Sequence, residues 1–134
     1  MDTIAVRQKG HRYDQLKLKR IYEPATTDDG VRVLVDRLWP RGMSKTRADI
    51  DYWAKELTPS TELRNLYHEG TLGYEQFSEG YMRYLDSQPS ALAWISRLEE
   101  WLDEGPVTLL YATTNTQENH AIVLRRWLIK RLAF

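Results

Sequence analysis

A chain of 134 residues is long enough for one ordinary domain and too short for two, and at that size about two thirds of the unfolded surface can be buried without a disulfide or metal staple. There is no cysteine, which excludes thiolate chemistry, disulfides and cysteine-based zinc sites and is compatible with a reducing cytosol. Nineteen Lys and Arg balance nineteen Asp and Glu, whereas a dedicated nucleic-acid binder usually has a basic domain overall; no apolar run approaches the roughly 18 residues of a membrane span, and the N-terminus has no secretory h-region.

Residues 1–15 are polar apart from Ile4–Val6 and read as a flexible or edge-pairing arm. "LKLKRIYE" (16–23) alternates Leu16 and Leu18 with Lys17 and Lys19, the period of a half-buried strand. "PATTDDG" is turn chemistry; its Asp28 and Asp29 are first of all a turn rather than a metal site. "VRVLVD" (31–36) is β-branched and nearly all apolar, as a strand buried on both faces requires. The connection between these two strands is shorter than the dozen or more residues of a parallel crossover, so the pair is expected to be antiparallel or not adjacent.

A long helical stretch follows. Ile50, Trp53, Ala54 and Leu57 have helical spacing. "TPSTELRNLY" opens a further helix, with Thr58 as N-cap and Pro59 at the first helical position. Tyr74, Phe77, Tyr81, Tyr84 and Leu85 form the next stripe, and Leu92, Ile95, Leu98 and Leu102 another that Gly105 and Pro106 stop. "VTLLYA" (107–112) is the second buried strand. "NTQE" (115–118) resembles a capping box, Asn115 capping a last helix that runs to about Leu132. There is no repeat and no low-complexity segment. The expected fold is α/β: a small, mainly parallel sheet flanked by helices, with a mostly helical crossover over about residues 44–104, all within one domain spanning 16–134.

In open α/β sheets, ligands bind beyond the carboxyl ends of the strands. One such end delivers Asp36, Arg37, Trp39 and Arg41; the other delivers Tyr111 and the loop 113–119, closed by Asn119 and His120. If the two strands are parallel neighbours, these groups face each other. The guanidiniums suit a carboxylate or phosphate, and the N-terminus of the last helix adds N–H groups and partial positive charge. Thr113, Thr114, Asn115 and Thr116 add short polar side chains, and Trp39 offers a flat face. His120 is the natural acid or base, with Asp36 to orient it or accept a proton. Each residue also has a structural alternative: Arg37 or Arg41 paired with Asp36, Trp39 as a lid over core, Tyr111 as core, His120 as a satisfied buried histidine. Phosphate-loop, dinucleotide and nucleophile-elbow motifs are absent. The three histidines lack metal-ligand spacing, so neither metal nor cofactor is expected, and no serine or threonine stands beside an evident base.

"DDGVRVLVDRLWPRGMSK" (28–45), "ELTPSTELR" (56–64), "GPVTLLYA" (105–112) and "NHAIVLRRWL" (119–128) resemble the YeaO-like group of the bacterial family called domain of unknown function 488, from about Leu18 to Leu128. The resemblance implies a small cytoplasmic bacterial α/β protein whose motif positions are Asp36, Arg37, Trp39, Pro40, Arg41, Gly42, Tyr111, Asn119 and His120. In the family pattern an acidic residue often stands at Asn115 and a second histidine at Glu118. A mechanism needing two imidazoles or a metal at that loop is therefore not expected here.

Three functions follow as expectations. One is an enzyme on a phosphate- or carboxylate-bearing small molecule, with His120 and Asp36 catalytic and Arg37, Trp39, Arg41, Tyr111, Asn115 and Asn119 binding it. Another is a non-catalytic module for a metabolite or nucleic acid, and the third is an interaction protein whose arginines only brace the fold. No membrane partner is expected, and the sequence leaves the oligomeric state open.

Overall fold

The computed structural model describes residues 14–132. The expected N-terminal arm, but for residues 14 and 15, lies outside them. Four parallel strands form the sheet: β1 (Leu16–Arg20), β2 (Val31–Leu34), β3 (Tyr52–Trp53) and β4 (Val107–Tyr111), in the order β1-β4-β2-β3. β4 is the central strand, in register with both neighbours from Leu16 and Val31 opposite Val107 to Arg20 opposite Tyr111 and Leu34 opposite Leu110. β1 and β2 are thus not adjacent, as one of the two expectations for their short connection required. Each pairs instead with β4, from which 86 residues separate β1 and 72 separate β2.

Alternation along the strands divides the core. Val33, Val35, Leu109 and Tyr111 face one side, with Tyr81, Leu98, Leu124 and Trp127 in the same cluster. That side carries α2 (Thr61–His68), α3 (Tyr74–Asp86), α4 (Pro89–Glu104) and α5 (His120–Arg131), while the short α1 (Lys45–Ala48) lies with the other. Leu34 and Leu110 face the second side, against Ile21, Met43 and Ala48. β2 and β4 are therefore buried on both faces, as their nearly all-apolar sequence demands.

The second side also buries charge. Arg32 is 3 % exposed and Asp29 5 %. Arg32 Nη1 reaches Asp29 Oδ2 at 2.5 Å, and its remaining N–H groups donate to the carbonyls of Asp49 and Ala48. Lys19 Nζ meets Asp29 at 3.0 Å, and the Asp29 carbonyl accepts from Thr108 on β4. The Asp-Asp-Gly turn is thus tied to three strands through ion pairs and hydrogen bonds. Burial alone would push the Asp29 carboxyl up, but the Thr26 N–H, Lys19 and Arg32 outweigh it and hold the group below its ordinary 3.8. Its stabilising contribution is present above that ordinary value and is lost as pH falls through the lower folded value. Urea titrations between pH 6 and pH 2 should show stability falling from about pH 4 downward, with a shallower fall in Asp29→Asn; identical slopes would contradict this assignment.

Three local expectations need correction. Residues 50–57 are not a helix but β3 followed by a 3-10 turn, Lys55–Leu57. α2 starts at Thr61 with Ser60 as its cap, the hydroxyl accepting from Leu63 N, while Thr58 ends the preceding turn. Asn119, not Asn115, caps α5, its Oδ1 accepting from Ile122 N. No helix among the described residues is long and apolar enough to cross a membrane.

Candidate functional site

The carboxyl ends of β2 and β4 are neighbours, and the chain leaving them meets the first residue of α5. Asp36 Oδ2 accepts from Ala112 N at 3.0 Å, closing the gap between the two strand ends. Its Oδ1 lies 3.0 Å from His120 Nε2, which is also 2.9 Å from the Val35 carbonyl. Both neighbours of Nε2 are acceptors, so Nε2 carries the hydrogen in either charge state of the ring. The hydrogen bond goes to the carbonyl and leaves Oδ1 beside Nε2 without one of its own. Nδ1 is then the basic nitrogen. The pair is largely buried, with the His120 side chain 20 % and the Asp36 side chain 14 % exposed.

A cleft of about 220 Å³ opens beside this pair. Asp36, Arg37, Leu38, Thr113, Glu118, Asn119 and His120 line it from the strand ends, and Pro59, Arg64, Tyr67, His68 and Phe77 from the helical side. Arg37 is exposed and has neither ion pair nor hydrogen bond from its guanidinium among the described residues. Arg64 Nε is buried and has no hydrogen-bond partner. Tyr67 and Phe77 stack at 4.7 Å, and Tyr74 OH donates to the Asn119 carbonyl at 2.8 Å, joining α3 to the start of α5. Burial, then the negative charge of Glu118, pushes the Tyr67 hydroxyl above its ordinary value, which places that carboxylate's field at the cleft wall.

Of the residues expected at the site, Asp36, Arg37, Asn119 and His120 line this cleft, and Trp39, Arg41, Tyr111 and Asn115 do not. Asn119 lines it as a brace: its Oδ1 caps α5 and its Nδ2 donates to Asn115 O. Trp39 packs edge-on to Trp53 at 5.3 Å and donates Nε1 to Met43 O, while Trp53 Nε1 holds the Asp36 carbonyl. Two tryptophans therefore stiffen the turn that presents Asp36 and Arg37, and neither is a stacking platform in the cleft. The Arg41 side chain is exposed elsewhere, its carbonyl accepting from Tyr22 OH. Tyr111 is 5 % exposed within the core. Asn115 Oδ1 takes the N–H groups of Gln117 and Glu118, shaping the loop.

Sequence reasoning missed Arg64, Tyr67, His68 and Glu118. A signal existed: 64, 67 and 68 are spaced i, i+3, i+4 on one face of a helix, and that helix has no fully buried residue. Among the described residues no group of three or more His, Asp and Glu is arranged to hold a metal ion.

An all-parallel α/β protein with an arginine-bearing cleft at its strand ends is the class that this geometry defines. The chain belongs to the family DUF488-N3i, described as the inactive DUF488-N3 subclade, whose model matches residues 15–134. It is 46 % identical over 113 residues to the uncharacterised protein YeaO of Escherichia coli K12, covering 84 % of this chain and 96 % of that one. It is 34 % identical over 117 residues to Rv3073c of Mycobacterium tuberculosis H37Rv and to Mb3100c of Mycobacterium bovis, covering 87 % of this chain and 96 % of each. No solved structure matches the chain.

Proposed function

We propose that the chain binds a small anionic molecule in the cleft beyond β2 and β4 without turning it over. The observation that carries this is two guanidiniums, Arg37 and Arg64, lining one cleft without a protein partner among the described residues, one of them with a buried, unsatisfied Nε. A buried donor left unpaired is costly, and guanidinium is the group best shaped to take carboxylate or phosphate oxygens in pairs. The N-terminus of α5 adds positive potential at the cleft. The cleft volume favours a small molecule over a nucleic-acid strand, and the exposed Leu38 at its rim gives that molecule an apolar edge to cover.

The His120–Asp36 pair favours a second reading, general-base catalysis through Nδ1. The description of the subclade as inactive supports binding instead, with His120 and Asp36 fixing the strand ends around the ligand.

Thermal unfolding with phosphate, sulfate, small carboxylates and mononucleotides tests the binding reading. A ligand at about ten times its dissociation constant adds roughly 1.4 kcal/mol, a rise of about 3 to 5 °C at this chain length. The rise should appear in the wild type and vanish in Arg37→Ala and Arg64→Gln. No rise with any anion, or one that survives both substitutions, overturns the assignment.

A further inference from the structure

The charges lining the cleft say more than that an anion fits. Asp36 is held at Oδ2 by Ala112 N, and its Oδ1 lies 3.0 Å from His120 Nε2 with no hydrogen bond of its own. Arg37, Arg64 and the carboxylate of Glu118 have no hydrogen bond or ion pair with other described residues. Two free guanidiniums therefore share the cleft with one free carboxylate. A plain dianion would satisfy the arginines and meet Glu118 as a like charge, at a cost. A ligand that also carries a protonated amine turns that repulsion into a third contact.

Size narrows the class further. The cleft's volume of about 220 Å³ lies below the roughly 300–1,000 Å³ of pockets that enclose drug-sized ligands. The wall formed by Pro59, Tyr67 and Phe77 is apolar and suits a short run of methylenes.

Building on the anion-binding reading, we propose that the ligand is a small amino dicarboxylate: its two carboxylates meet Arg37 and Arg64, and its ammonium meets Glu118. The ligand's single net negative charge then matches the single surplus positive charge of the three free groups. Specificity in such a site rests on the unpaired polar partner that a truncated ligand would leave behind.

Isothermal titration calorimetry at fixed ionic strength, with four related probes, separates the possibilities. L-glutamate carries all three groups, glutarate lacks the amine, and 4-aminobutanoate and 2-aminobutanoate each lack one carboxylate. Glutamate should bind the wild type about ten times more tightly than any of the other three. Glu118→Gln should abolish the preference for glutamate over glutarate, and Arg64→Gln should weaken both acids together. Glutarate binding the wild type as tightly as glutamate overturns the amine contact and leaves the anion-binding reading standing. 2-Aminobutanoate or 4-aminobutanoate matching glutamate overturns the second carboxylate contact. Absence of binding by all four overturns the amino dicarboxylate; if phosphate, sulfate and mononucleotides are silent as well, the anion-binding reading falls with it. The wild-type series decides the matter even if a variant folds poorly.

Discussion

Arg32→Ala is expected to lose about 3–5 kcal/mol of stability, the range for removing one partner of a buried ion pair. The substitution leaves the Asp29 carboxylate buried with only Lys19 as a cation, and strips hydrogen-bond donors from the carbonyls of Ala48 and Asp49 that close α1. At this chain length the unfolding midpoint should fall by roughly 10 to 20 °C. Lys19→Met is the internal comparison. It touches the same carboxylate at 3.0 Å but from a more exposed position, so it should cost less, about 1–2 kcal/mol. The double variant Asp29→Asn, Arg32→Met should recover part of the loss, because no uncompensated charge then stays inside. Equal, small losses from both single variants in urea unfolding would mean that the pair is not the tie described above.

Gly30→Ala has the second large effect, for a different reason. Gly30 sits at φ +63°, ψ −134°, a region that side chains rarely adopt. A Cβ there would stand 2.0 Å from the Pro106 carbonyl oxygen and 2.7 Å from its carbon. That carbonyl already accepts from Val31 N, so the obstacle is backbone at the point where β2 and β4 begin to pair. The cost should reach about 3 kcal/mol or more, strain and displacement adding together. Gly42 supplies the control: φ is +69° but nothing lies within 4 Å of its Cβ position. Gly42→Ala should therefore show the backbone term alone, roughly 1–2 kcal/mol. Equal losses at the two glycines, measured by urea unfolding, would show that contact with Pro106 contributes nothing.

The two central strands were legible because a strand buried on both faces is apolar at most successive positions and rich in β-branched residues, as "VRVLVD" and "VTLLYA" are. β3 was illegible because it is two residues long, and Ile50, Trp53, Ala54 and Leu57 reach two different clusters with a spacing that imitates one helical face. Asn115 and Asn119 compete as caps, since either side chain can accept from a free helical N–H. Only the path of the loop decides between them. At the site, Asp36, Arg37 and His120 could be found from strand ends alone, because parallel pairing brings those ends together. Trp39 and Arg41 could not be sorted from Arg37 by type: the turn points one arginine into the cleft and the other away, and the tryptophan inward as a brace. Arg64, Tyr67 and His68 depend on α2 lying across the strand ends, a tertiary fact with no local signature beyond the polar face of that helix, and Glu118 depends on the path of the loop before α5.

The order of the strands also dictates when this protein becomes foldable during its own synthesis. β1 and β2 leave the ribosome early but cannot pair with each other, since β4 belongs between them. Seventy-two residues separate Leu34 from Val107, which is roughly 4 to 14 s of translation. Through that interval β2 has only two-residue β3 as a sheet partner, with Val33, Leu34 and Val35 exposed to whatever else is nearby. The nascent chain must wait with its most aggregation-prone segment uncovered. Chaperone occupancy on translating ribosomes should therefore persist until β4 emerges, and the speed at which residues 35–106 are decoded becomes a property of the protein's yield.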